Sequence, residues 1–246
     1  ALSTEKLLAG TDSKITTIGY YCNPIQYAEH RKTLENVICT AGKFGATHVS
    51  TFAGAWEGKP VESAYEEFGK VFRELADLAE EKGVKLGIEN CLMDGTWEHA
   101  TCNIGFNPKA WEVMFEEVKN DNFGLEWEPT HQMVQLIDPV TELRKWCKKI
   151  VHIHGKDATI DWDAVRHSGI SGAVPFVWHR MPGFGDTNWR DIISILRSNG
   201  YEDDICIEGY HDPVYSGELE MTGQLHALNY LKWCRGGDFT PTPWAK

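Results

Sequence analysis

The sequence predicts an α/β protein built on a parallel sheet of the (β/α)8-barrel type, and three observations carry that prediction. Short apolar, β-rich runs alternate with helix-patterned segments along the chain, the order that feeds a parallel sheet. Four of those runs end in a side chain able to hold a metal: VKLGIEN (84–90) at Glu89, FGLEWE (123–128) at Glu128, IVHIH (150–154) at His154 and ICIE (205–208) at Glu208. In a parallel barrel such strand ends converge on the face where active sites are built. Finally, no low-complexity linker breaks the chain, and no GxGxxG turn follows a strand, which disfavours a doubly wound open sheet.

The elements follow in order. Residues 1–13 are polar, with a short helical stretch at 4–9. KITTIGYYC (14–22) reads as a strand stopped by Asn23 and Pro24. A helix over 29–44 places Leu34, Val37, Ile38 and Ala41 on one face and stops at Gly45. Residues 47–52 form the next strand. A long helix over 61–82 carries Ala64, Phe68, Val71, Leu75 and Leu78 as one stripe, with Gly83 as its C-cap. After VKLGIEN comes a loop at 91–106, longer than most such connections and therefore a candidate for function. Helices over 107–119 and 138–149 each begin with a proline in the first turn, Pro108 and Pro139. Residues 158–174 read as irregular, with a helical turn at 162–166; PFVWHR (175–180) reads as a short strand and MPGFGD (181–186) as a loop. Helices over 187–198 and 218–233 flank ICIE. This gives seven strands, one short of a closed barrel. The missing unit is most easily placed before residue 1, so the expectation is a single domain over 1–246, N-terminally shortened, with the edges of the strands at 14–22 and 204–208 unpaired or paired with another chain.

Composition narrows the function classes. The 246 residues are 42% hydrophobic, enough for one sizeable core, and the formal net charge of −12 argues against a nucleic-acid footprint. No apolar run approaches a membrane span, and no signal-peptide pattern opens the chain. Seven cysteines without a CxxC pair read as reduced thiols, hence a cytoplasmic protein with no structural zinc cluster and no membrane partner.

GIEN (87–90), FGLEWEPTH (123–131), IVHIHGKDA (150–158), PGFGDTNW (182–189) and GYEDDICIE (200–208), in this order, resemble the xylose isomerase-like TIM-barrel family of sugar phosphate isomerases and epimerases, which includes ketose 3-epimerases. The resemblance implies one divalent cation held by Glu89, Glu128, His154 and Glu208. It also implies that Glu89 and Glu208 double as the acid/base pair. One departure stands out: the family motif Asp-Pro-Ser-His is here Glu128-Pro129-Thr130-His131, one methylene longer. Glu126, two residues earlier on the same strand face, is a reserve ligand. Oxygen ligands with one imidazole suit Mn²⁺, with Mg²⁺ or Co²⁺ as alternatives.

Around these, His131 and Arg180 are implied to touch substrate hydroxyls, with a helix-turn histidine and a surface arginine as the bland alternatives. Asn90 and Lys156 are placed near the substrate. Asp157 reads either as an acceptor orienting an imidazole or as half of a surface pair. Trp56, Trp127 and Trp178 are pocket walls or core; Trp189 reads as core and His152 as structural, one layer deeper. PGFGD lacks the GxxxxGK[ST] pattern and reads as a turn, not a phosphate cradle.

The implied activity is metal-dependent isomerisation or epimerisation of a ketose or keto-sugar, by proton abstraction beside the carbonyl through an enediolate. The alternative keeps the fold and the metal but runs a lyase reaction, inosose dehydration or 3-keto-glycoside cleavage. A DNA-repair endonuclease is disfavoured by the acidic charge, and a non-enzymatic module would follow only if no metal binds. A small-molecule sugar is the expected partner, and homo-oligomers fit the resemblance.

Overall fold

A computed structural model of the chain describes residues 2–238 and 240–242. The elements run α1 (Leu2–Leu8), β1 (Thr17–Gly19), α2 (Ala28–Thr40), β2 (His48–Thr51), α3 (Tyr65–Glu81), β3 (Lys85–Glu89), α4 (Pro108–Glu117), β4 (Phe123–Trp127), α5 (Pro129–Met133), α6 (Pro139–Trp146), β5 (Ile150–Gly155), β6 (Asp157–Ile160), α7 (Trp162–Ser168), β7 (Val177–Arg180), α8 (Trp189–Ser198), β8 (Ile205–Ile207) and α9 (Glu220–Cys234). They form two compact units. The first takes residues up to Gln132 plus Lys148–Ile153; the second takes Met133–Cys147 and the chain from His154 onward.

In the first unit β1, β2, β3, β4 and β5 lie side by side in chain order, all parallel. Central strands β2 and β4 are buried along their whole length, including the polar His48, Ser50, Thr51 and Glu126. The edge strand β1 is only half-buried and shrinks to three residues. The stripe of α3 supplies Phe68, Phe72, Leu75 and Ala79 to the core. Phe68 and Phe72 stack at 4.6 Å, and Phe123 of β4 packs on both, with centroids at 6.3 and 6.1 Å. Asn107 caps α4 by accepting the Lys109 amide at 3.0 Å. Gly124 has a packing reason. A Cβ there would collide with the Lys149 carbonyl oxygen and lie 2.6 Å from Val151 Cγ1, so only glycine lets β5 come this close.

In the second unit β8 lies beside the end of β5, with the Glu208 amide donating to the Gly155 carbonyl at 3.0 Å. All three residues of β8 are half-buried, as expected of an edge strand. Helices α6 and α8 start on side-chain caps, Asp138 and Asn188. Ile192, Ile195 and Leu196 of α8 pack into a core shared with Leu143, Ala227 and Leu231.

Two expectations are corrected here. The strand at 175–180 exists but pairs antiparallel with β6, a strand the sequence reading left as irregular chain, in the register Asp157↔Arg180 to Ile160↔Val177. The parallel sheet therefore has six strands, not seven, with β1 and β8 at its ends. Composition marks a strand but not the direction of its partner, and pairing partners are tertiary information. Among the described residues no helix is long and apolar enough to cross a membrane, and no cysteine is in a disulfide.

Two substitutions test the first unit's core. Phe72→Ala is expected to cost about 3–5 kcal/mol through lost burial and the cavity left behind. Gly124→Ala is expected to cost ~1–3 kcal/mol through overpacking against β5. Urea unfolding midpoints at unchanged m-value check both.

Candidate metal and acid-base site

In the first unit the strand ends of β3 and β4 bring two carboxylates together. Glu89 is 7% exposed and Glu128 fully buried, and an oxygen of one lies within 4.8 Å of an oxygen of the other. Asn90 holds the main chain that carries Glu128. Its Oδ1 accepts the Glu128 amide at 2.7 Å, and its Nδ2 donates to the Glu128 carbonyl at 2.9 Å. Both ends of this amide thus hold the Glu128 main chain. The short helix α5, absent from the sequence reading, turns His131 back so that Nε2 lies 3.3 Å from Glu128 Oε1.

Asn103, in the long loop, does for Glu89 what Asn90 does for Glu128. Its Nδ2 donates to the carbonyls of Glu89 at 2.9 Å and Cys91 at 2.8 Å. Its Oδ1 accepts the amides of Ala53 at 2.9 Å and Gly105 at 3.0 Å. Loop length was the only signal for it. The reserve ligand Glu126 has other partners. Tyr21 donates its hydroxyl to Glu126 Oε2 at 2.8 Å, and His152 Nε2 lies 3.8 Å from Oε1. His152 also sits 3.3 Å from the Thr17 hydroxyl and against the ring of His48, consistent with a structural layer. Trp127 is core, its indole donating to Gln132 at 2.8 Å, and Trp56 is half-buried after β2.

In the second unit His154 Nδ1 lies 3.1 Å from Glu208 Oε2, and Lys156 donates to Glu208 Oε1 at 2.8 Å. Lys156 is 2% exposed, so it is a buried ammonium clamped on a carboxylate and no surface residue. Asp157 is corrected from both of its readings: it neither orients an imidazole nor pairs on the surface. Its carboxylate accepts the amides of Ala158 at 2.8 Å, Gly183 at 3.1 Å, Gly185 at 3.3 Å and Thr187 at 2.9 Å. The PGFGD loop is wrapped around this side chain, so its amides are committed and no phosphate cradle is left. Burial pushes the Asp157 carboxyl above its ordinary range, against the pull of those amides.

Arg180, at the end of β7, donates Nε to Asp212 at 3.3 Å and lies over the Phe184 ring at 5.7 Å. Asp212, which the sequence reading missed, also takes the amides of Met181 at 2.7 Å and of Val214 and Tyr215 at 2.8 Å. Burial alone would raise its carboxyl. The amides and the Arg180 guanidinium outweigh burial and hold it below the usual range. Trp189 is fully buried core and Trp178 is 43% exposed.

The donor chemistry fits a divalent cation. Two buried carboxylates this close repel by about 3–4 kcal/mol at an effective dielectric of ~20, a cost that a cation turns into attraction. The second unit offers an imidazole and a carboxylate already in contact.

Residues 3–232 match the family described as xylose isomerase-like TIM barrel, and the chain belongs to that family. Among sequence relatives, an inosose dehydratase of Clostridium tetani is 26% identical over 182 residues, which are 72% of this chain and 57% of that protein. Proteins of the same name from Clostridium perfringens and Histophilus somni also match. Two solved structures share the fold. The IolI protein with a bound zinc atom superposes with a TM-score of 0.67 at 20% identity, over 94% of this chain and 78% of that one. The 3-keto-D-glucoside 4-epimerase YcjR from E. coli superposes at 0.68 with 14% identity, over 94% and 83%.

Asp212→Asn is expected to destabilise by about 1–3 kcal/mol at neutral pH, since an amide nitrogen would face amide donors. The folded carboxyl is depressed, so its stabilisation is fully present above the unfolded value near 3.8 and is lost as pH falls through the folded value. Thermal melts from pH 7 down to 3 should show this loss in the wild type and a shallower acid limb in the variant.

Proposed function

We propose that this chain is a dehydratase of a cyclic polyhydroxyketone of the inosose type, and the observation that carries the reading is that its sequence relatives bear that name. The sequence reading put isomerase or epimerase chemistry first. Proton removal beside a ketone is common to both reactions; what separates them is whether the neighbouring hydroxyl then leaves. The ketose and keto-sugar epimerases, and a probable 3-DHS dehydratase, meet this chain through the fold at 14–17% identity, whereas the inosose dehydratases meet it through sequence.

The family resemblance implies Glu89, Glu128, His154 and Glu208 as the ligands of one divalent cation. When bound, it polarises the ketone and offsets the charge that develops on the carbonyl oxygen. The chain's own groups move the protons. Glu208, held by Lys156, takes the proton from the carbon beside the carbonyl. The released bond pair becomes a C=C bond as the adjacent C–O bond breaks, and the hydroxyl leaves as water with a proton handed over by Glu89. Asn90 and Asn103 keep Glu128 and Glu89 in place by their main chains. His131 steadies the Glu128 carboxylate, and Arg180 and Trp56 are left to meet substrate hydroxyls and ring. Mn²⁺, Mg²⁺ and Co²⁺ suit the donors, and zinc is the metal in the IolI neighbour.

The test is an inosose incubated in D₂O with each metal, followed by NMR, with an EDTA control. A hydroxy-enone or the 1,2-diketone it becomes on tautomerisation, with deuterium taken up on the ring, supports dehydration. A new stereoisomer with every hydroxyl retained would establish epimerase chemistry and overturn it. Glu208→Gln is expected to lower kcat by about 10²–10⁴-fold and to lower the melting temperature as well, because the buried Lys156 ammonium loses its carboxylate partner. A saturating cation, at a hundred times its Kd, should stabilise the wild type by about 2.7 kcal/mol, reversed by EDTA. Glu89→Gln and Glu128→Gln should remove most of that gain.

A further inference from the structure

Neighbouring strand ends of the first unit are stapled by buried asparagines. Asn90 ties the end of β3 to that of β4, and Asn103 ties the β2 loop to β3 through Ala53 and Glu89. Asn23, 2% exposed in the loop after β1, is a third staple. Its Oδ1 accepts the Ala55 amide at 3.0 Å, and its Nδ2 donates to the Ala55 carbonyl at 2.9 Å. The same Oδ1 accepts the Gln26 amide at 3.2 Å and so turns its own loop. Gln26 then reaches across in its turn. Its Oε1 accepts the Glu57 amide at 2.8 Å, and its Nε2 donates to the Tyr27 hydroxyl at 3.1 Å, which donates to Glu57 Oε2 at 3.3 Å. Gly54 gives the staple room: its φ is +80°, and a Cβ there would lie 2.9 Å from Asn23 Oδ1.

The residue between Ala55 and Glu57 is Trp56. Its main chain is fixed on both sides, and its own carbonyl accepts the Lys59 amide at 3.0 Å. Its side chain is the opposite case. Trp56 is half-buried, and among the described residues none hydrogen-bonds to its indole nitrogen and no ring or cation packs on its face. The core tryptophans of this unit differ: the Trp111 indole donates to the Gly105 carbonyl at 2.6 Å and that of Trp127 to Gln132 at 2.8 Å. An indole held in advance, with its face unengaged, gives up little freedom when a ligand stacks on it.

We propose that Asn23 and Gln26 are positioning residues that aim the Trp56 indole at the C–H face of a cyclic polyol substrate. The inference rests on the reading of Trp56 as a substrate contact. An indole suits that partner. A ring with equatorial hydroxyls turns its C–H bonds to its two faces, and these meet the negative face of the indole while the hydroxyls stay at the rim.

A ligand-observed NMR titration with myo-inositol at saturating Mg²⁺ tests this. The probe is a cyclic polyol without the ketone, so binding is read without turnover, and the result does not depend on whether the enzyme expels water or forms an epimer. The wild type is expected to bind, and Trp56→Ala to raise the Kd by about tenfold. Gln26→Ala and Asn23→Ala should each raise it about threefold in the wild type and leave it unchanged in the Trp56→Ala background. Asn23 is buried, so where Asn23→Ala fails to fold by circular dichroism, the half-buried Gln26 carries the test. A wild type that does not bind, or a Trp56→Ala variant that binds as well as wild type, would overturn the substrate reading of Trp56 and the proposal with it. A Gln26→Ala effect that persists in the Trp56→Ala background, or none in either background, would leave Trp56 as a contact and overturn its positioning by this loop.

Discussion

Negative charge buried at the ends of parallel strands is the constraint on which the rest of the structure turns. Glu89, Glu126 and Glu128 sit at 7% exposure or less within the first unit. A buried carboxylate must be met by donors or a cation, since its desolvation is not otherwise recovered. Two asparagines respond to this without touching the carboxyl groups. Asn90 and Asn103 take the backbone of Glu128 and Glu89, so the side chains project from fixed positions. The Glu128 carboxylate meets His131 at 3.3 Å.

The second unit solves a related problem with aspartates. Asp157 and Asp212 collect main-chain amides from loops that have no regular ladder of their own. The antiparallel pair β6–β7 and the loop after it are tied down at these two points, and Arg180 is set in place by one of them. The site residues His154, Lys156 and Glu208 then form a compact chain of contacts beside that framework. In both units polar residues from elsewhere in the chain hold the groups that could do chemistry, Asn90 and Asn103 in the first and Lys156 in the second.

The chain belongs to the xylose isomerase-like family, and its relatives and fold neighbours carry both dehydratase and epimerase names. Abstraction of a proton beside a carbonyl needs a base, a second proton carrier and compensation for developing charge. Several outcomes share that first step, which is why relatives of one fold carry dehydratase and epimerase names. Proton transfer to the opposite face gives an epimer, and departure of a hydroxyl gives a dehydrated product. The choice rests on where the substrate's hydroxyls point.

The sequence by itself determined the α/β class, the helices and the strand-end residues, because periodicity and the positions of Gly and Pro are local properties. The stripe of α3 and the proline-led starts of α4 and α6 are readable without neighbours. Glu89, Glu128, His154 and Glu208 could be found because each closes an apolar run. What only the tertiary structure decided was partnership. β6 was invisible because its pairing with β7 lies across the insertion between them. Asp157 looked like a group beside an imidazole until the loop at Gly183–Thr187 was seen folded around it. Asn90 could be placed near Glu89 from the sequence, but only the fold shows it holding Glu128's main chain. Hydrogen bonds between residues far apart in the chain leave no periodic trace, so sequence names the groups and only the fold assigns them to each other.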